Sequence, residues 1–86
     1  MGYVVEQALT ARVHVSREAW DSAYSRDVLE AVIRDRLWQD LHRRADEHYA
    51  DLDETSVDIR EDEDVHLTHS KVFSAFAIMD VPEEML

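Results

Sequence analysis

Between Arg26 and Ala50, apolar residues return every four positions: Leu29, Ile33, Leu37, Leu41, Ala45 and Tyr49, joined by Val28, Val32, Trp38 and, just beyond, Leu52. A row spaced in this way lies along one side of an α-helix, and the segment holds no glycine or proline to interrupt it. Ser25 and Asp27 stand where a capping hydroxyl and a first-turn acid favour helix entry. The spacing therefore predicts one amphipathic helix over about Arg26–Ala50. At 1.5 Å per residue it runs about 36 Å, and its exposed side offers Glu30 with Arg34 and Asp40 with Arg44 in acid-first i,i+4 order.

The flanks follow a different period. From Val5 to Val15, Leu9, Ala11, Val13 and Val15 alternate with Glu6, Thr10, Arg12 and His14, the pattern of a half-buried strand. Ser16 then caps a short helical turn within SREAWDSAY. After the helix, Val57 and Ile59 alternate with Asp58 and Arg60, and Val65 and Leu67 with His66 and Thr68. The run Val72–Val81 is apolar on both faces over much of its length, as in a central or doubly covered strand, and Pro82 ends it. Either EDED or THSK supplies the hairpin loop. A strand of ~10 residues at about 3.3 Å per residue matches the helix in length. The expected architecture is α+β in one domain, order β-α-β-β with room for a further strand, one long helix lying on one face of a small antiparallel or mixed sheet.

Charge is unevenly distributed. Asp46 to Asp64 holds ten of the twenty carboxylates and one arginine, Arg60, whereas Met1 to Ala45 has seven acids against seven arginines. The window thus carries about −9 of the formal −11. Such a concentration steers a cationic partner over a Debye length of roughly 8 Å at physiological salt. A row of carboxylates on a helix end and adjoining strand imitates the charge of a phosphate backbone and fits a basic groove on a nucleic-acid-binding protein. The residues assigned to this surface are Asp46, Glu47, Asp51, Asp53, Glu54, Asp58, Glu61, Asp62, Glu63 and Asp64. The alternative is a solvated loop that keeps a small protein soluble. Direct nucleic-acid binding is disfavoured, because the arginines are matched by acids and the remainder repels phosphate.

Catalytic and cofactor signatures are lacking. With no cysteine there is no disulfide, thiolate ligand or thiol nucleophile, and one glycine excludes the glycine-rich phosphate loops. His66 and His69 fall on opposite faces of a strand, and His42 and His48 are more than half a turn out of phase on the helix. Asp51-Leu52-Asp53-Glu54-Thr55 opens like a calcium loop, but Ser56 stands at the glycine position and Asp62 where a glutamate belongs. The expectation is a non-enzymatic protein without metal or cofactor. No secretory leader, membrane-spanning run or myristoylation signal appears, so a cytoplasmic location is expected.

The face of the sheet away from the helix would present Val72, Phe76 and Ile78. An apolar face without cover favours pairing, so a homodimer through these residues is the second expectation. The other solution is that the strand meets Trp20 and the C-terminal Met85-Leu86. In size, in its arginine-over-lysine bias, in the opening YVVEQALTARVHVSREAW and in the ending FAIMDVPEEML, the chain resembles small accessory proteins encoded by phages of GC-rich actinobacteria. That resemblance implies binding to a host factor.

Overall fold

In a computed structural model, which describes residues 3–62 and 70–85, the chain is α+β. Strand β1 (Val4–Ser16) is followed by a short helix α1 (Arg17–Asp21), the long helix α2 (Arg26–Glu47), strands β2 (Asp51–Glu61) and β3 (Ser70–Pro82), and a 3-10 turn at Glu83–Met85. The strands form one antiparallel sheet in the order β1-β3-β2, so the apolar C-terminal strand is central. The element order departs from the expected one by the second helix, α1. The expected alternation at Val65–Leu67, the loop candidates Glu63-Asp64 and Thr68-His69, and the histidines His66 and His69 lie outside the described residues, and Glu61 of EDED belongs to β2. Ser70 and Lys71 of THSK belong to β3.

Helix α2 buries the middle of the predicted row; Leu29 is half-buried, and Tyr49, beyond the helix end, is exposed. Ile33, Leu37, Leu41 and Ala45 are buried against Leu9 and Ala11 of β1 and Phe73, Ala75, Ala77, Met79 and Val81 of β3. Small residues line this strip of sheet, which lets Leu37 and Leu41 enter far enough to lose all solvent contact. Val28 and Val32, read with the apolar row, are instead exposed, because the buried arc is narrower than the apolar one. Helix α1 covers the same side of the sheet. Its Trp20 ring centroid lies 5.8 Å from that of Phe73, and Lys71 Nζ stands 4.4 Å above the indole. Trp20 therefore does not cover the opposite face. Both helices occupy one layer, and the radius of gyration, 15.4 Å, exceeds the ~12 Å of a compact chain of this length.

The long helix stops three residues before the predicted end. Tyr49 adopts φ 53°, the one non-glycine residue with positive φ among the described residues. Its amide donates to the Asp46 carbonyl at 3.0 Å and that of Ala50 to the Ala45 carbonyl at 2.9 Å. This is the Schellman closure, with tyrosine in the left-handed position usually held by glycine.

Strand β2 begins at Asp51, six residues before the predicted alternation, because a bulge hides its period. Asp53 pairs with Ile78 but Asp58 pairs with Phe76, so four residues of β2 stand opposite Ala77 alone. The three extra residues are an odd number and invert the strand's faces. Before the bulge, Leu52 points to the helix layer and Asp51 and Asp53 away from it. After it, Val57 and Ile59 pack on the core while Asp58 and Arg60 point away. Asp53 Oδ1 accepts from the Thr55 amide and hydroxyl, at 3.1 and 2.6 Å, and Ser56 Oγ donates to the Asp53 carbonyl at 2.6 Å.

Candidate functional site: the open sheet face

The register fixes what the uncovered face displays, row by row across β1, β3 and β2. Glu6, Asp80 and Asp51 form the first row; Ala8, Ile78 and Asp53 the second; Thr10, Phe76 and Asp58 the third; Arg12, Ser74 and Arg60 the fourth. In the fifth, His14 stands beside Val72, whose carbonyl accepts the Asp62 amide at 2.8 Å. Neighbouring strands lie about 4.8 Å apart, so the three carboxylates of the first row are close neighbours on one surface.

This end of the sheet gathers acids from three separated stretches. The Schellman turn brings Asp46 and Glu47 next to Asp51, and the Glu83 amide donates to the Tyr3 carbonyl at 2.8 Å, which sets Glu83 and Glu84 beside the start of β1. Segments 3–11, 45–53 and 76–85 contain no arginine or lysine. Among the described residues no ion pair reaches Glu6, Asp46, Glu47, Asp51, Asp53, Asp80, Glu83 or Glu84. Glu6, Asp80, Glu83 and Glu84 lie outside the sequence window, and only the strand register joins them to it.

The rest of the window has cationic or histidine neighbours. Glu54 Oε1 lies 3.2 Å from His42 Nε2, whose ring stacks on Trp38. Asp58 is held by Arg60 at 2.7 Å, Glu61 by Lys71 at 2.8 Å, and Asp62 lies 3.7 Å from Arg12. Glu63 and Asp64 lie outside the described residues. The ten acids thus divide: Asp46, Glu47, Asp51 and Asp53 belong to the unpaired pole, and Glu54, Asp58, Glu61 and Asp62 are engaged. Asp51–Asp62, which begins like a calcium loop, is strand β2 and the residue following it.

Of the apolar trio, Phe76 is 49% and Ile78 37% exposed, but Val72 is 3% exposed and cannot join a contact surface. Arg12 reaches Asp62 across β3, over the stretch that holds Val72 and Ser74. The exposed apolar patch therefore narrows to Phe76 and Ile78, with Ala8 beside them.

Arg44 departs from its expected pairing with Asp40. Asp40 receives Arg36 and Arg43, each at 3.4 Å, and Arg44 Nη1 donates to the Thr10 carbonyl on the outer edge of β1. An i,i+4 pair on an exposed helix contributes only a few tenths of a kcal/mol, less than a charge-assisted bond to a carbonyl at an otherwise open edge. Glu30 and Arg34 do pair, at 3.0 Å.

Among the described residues no group of three or more histidine, aspartate or glutamate side chains is disposed to hold a metal ion, and no helix is long and apolar enough to cross a membrane. No protein-family model, curated protein or solved structure matches the chain.

Proposed function

We propose that this is a non-enzymatic interaction protein whose acidic pole docks on a basic surface of a protein partner. The observation that carries the reading is the row Glu6–Asp80–Asp51, backed by Asp53, Asp46, Glu47, Glu83 and Glu84 with no cation paired to them among the described residues. Charges about 5 Å apart on a rigid sheet meet a basic groove without the ordering cost of a flexible tail. A nucleic-acid-binding protein fits best, since its groove is built to receive closely spaced anions. Phe76 and Ile78, one and two rows further on, supply apolar contact beside the charges. The resemblance to phage accessory proteins supports a host protein, met in the host cytoplasm, as that partner.

The test is displacement of a labelled DNA duplex from purified basic DNA-binding proteins. The chain is expected to displace the duplex at low salt and progressively less as ionic strength rises. The combined substitution Glu6→Gln, Asp51→Asn, Asp80→Asn should abolish displacement, and Asp58→Asn with Glu61→Gln should leave it nearly intact. Displacement indifferent to the triple substitution would overturn the reading.

A second reading, a homodimer through the open face, is favoured by the exposure of Phe76 and Ile78 side by side on the central strand. It predicts a sedimentation mass of two chains that Phe76→Asp halves and that changes little with salt.

A further inference from the structure

The geometry points to a binding site for a small organic oxyanion, a carboxylate or phosphate head on an apolar body, in the notch at the β1 side of the open face. A cavity of about 300 Å³ lies there, lined by Thr10, Ala11, Arg12, Arg44, Ser74 and Phe76. That volume is at the lower end of small-ligand pockets. Two of its six lining residues are arginines, in a protein of formal charge −11.

The notch is apart from the acidic pole. Thr10 is four residues from Glu6 along β1, about 13 Å at strand rise, which exceeds the roughly 8 Å Debye length at physiological salt. Among the described residues, the acids nearest to it on the open face are Asp58, held by Arg60, and Asp62, beside Arg12. Arg44 is fixed at the rim by its bond to the Thr10 carbonyl, which uses one of the five N–H donors of a guanidinium.

An independent observation comes from Ser74. The residue is 6% exposed, and its hydroxyl is buried with no hydrogen-bond partner among the described residues. A buried hydroxyl left unsatisfied costs free energy that an alanine at the same place would not. An oxyanion in the notch would accept from the two guanidiniums and, with the Ser74 side chain turned toward it, from Ser74 Oγ, and Phe76 would give a flat wall for a ring or alkyl body. The arrangement thus gives a role to a hydroxyl without a partner among the described residues and to an aromatic ring left half-exposed on a central strand, beside an arginine that its bond to Thr10 already holds at the edge.

The test is a titration of the ¹⁵N-labelled chain followed by NMR, with phenyl phosphate, benzoate, inorganic phosphate and neutral benzamide as separate probes. Phenyl phosphate or benzoate is expected to saturate, with shifts centred on Thr10, Arg12, Ser74 and Phe76 and on the arginine side chains; benzamide is expected not to. The stronger of the two binders tells phosphate from carboxylate, and inorganic phosphate tells whether the ring contributes. Ser74→Ala, which removes an unsatisfied group and so keeps the fold, and Arg44→Gln should each weaken binding about tenfold, as expected for losing a charge-assisted hydrogen bond. No saturation by phenyl phosphate or benzoate up to about 10 mM would overturn the proposal. So would equal binding of benzamide, or unchanged affinity in both variants.

Discussion

Ile78 donates its backbone amide to the hydroxyl of Ser56 at 2.8 Å, and through that bond a side chain takes the place of a strand neighbour. The same hydroxyl donates to the Asp53 carbonyl, so Ser56 closes the bulge from both sides. If β2 paired regularly through residues 54–57, without the bulge, Glu54, Asp58 and Arg60 would face the helix and Val57 and Ile59 would face water. The bulge is thus what lets one strand be acidic at its start and core-forming at its end.

Ser56→Ala should therefore destabilise the protein by about 1–2 kcal/mol, the range for leaving a backbone donor and an acceptor without their partner. In urea unfolding the midpoint should fall with the slope unchanged. An unaltered midpoint would mean that the bulge is held by Asp53 and Thr55 alone.

Two phenylalanines three residues apart on β3 offer a contrast. Phe73 is 2% exposed and packs on Trp20, whereas Phe76 is 49% exposed on the open face. Phe73→Ala should cost about 3–5 kcal/mol, a large part of the roughly 4–13 kcal/mol available to a chain of this length. Phe76→Ala should cost less than about 1 kcal/mol in the monomer. Thermal melts of the two variants check this, and a comparable loss at Phe76 would argue for burial between two copies.

Tyr49 gives a prediction of opposite sign. A left-handed conformation costs a non-glycine residue about 1–2 kcal/mol, while glycine loses about 0.5–1 kcal/mol of extra backbone entropy. The ring is exposed, so its loss removes little packing. Tyr49→Gly should stabilise the chain by about 0.5–1 kcal/mol, read as a higher urea midpoint.

The elements with an uninterrupted period were legible in the residues. The four-residue recurrence from Leu29 to Ala45 gives the long helix and its buried row, and the alternation from Leu9 to Val15 gives β1 with its inward side. The doubly apolar run from Val72 gives the central strand. What escaped was set either by local geometry that carries no sequence signal or by contacts distant in sequence. The first half of β2 was hidden because the bulge breaks the alternation at Glu54–Val57, and the helix end because a tyrosine holds a position that sequence signals reserve for glycine. Helical spacing pairs Arg44 with Asp40, and nothing local announces the Thr10 carbonyl. The acidic pole was half visible: Asp46, Glu47, Asp51 and Asp53 lie in the charge window, but Glu6, Asp80, Glu83 and Glu84 reach it only through strand pairing.

That pole makes a prediction about salt. Asp80 sits on the central strand with Glu6 directly opposite on one neighbour and Asp51 on the other. Like charges facing each other across strands are destabilising by a fraction of a kcal/mol per pair. The unfolded chain separates these three residues widely, so their repulsion is a cost of the folded state. Added sodium chloride at neutral pH should screen it and raise the melting temperature. Asp80→Asn removes both facing pairs while keeping side-chain shape, and should raise the melting temperature at low salt by a few degrees, the scale for about 0.5–1 kcal/mol in a domain of this size. The advantage should shrink as salt is added, because wild type and variant converge once the repulsion is screened. Melts in low and high salt decide it: a wild type indifferent to salt, or an advantage of Asp80→Asn that persists unchanged, would mean that the three carboxylates do not repel one another in the folded protein.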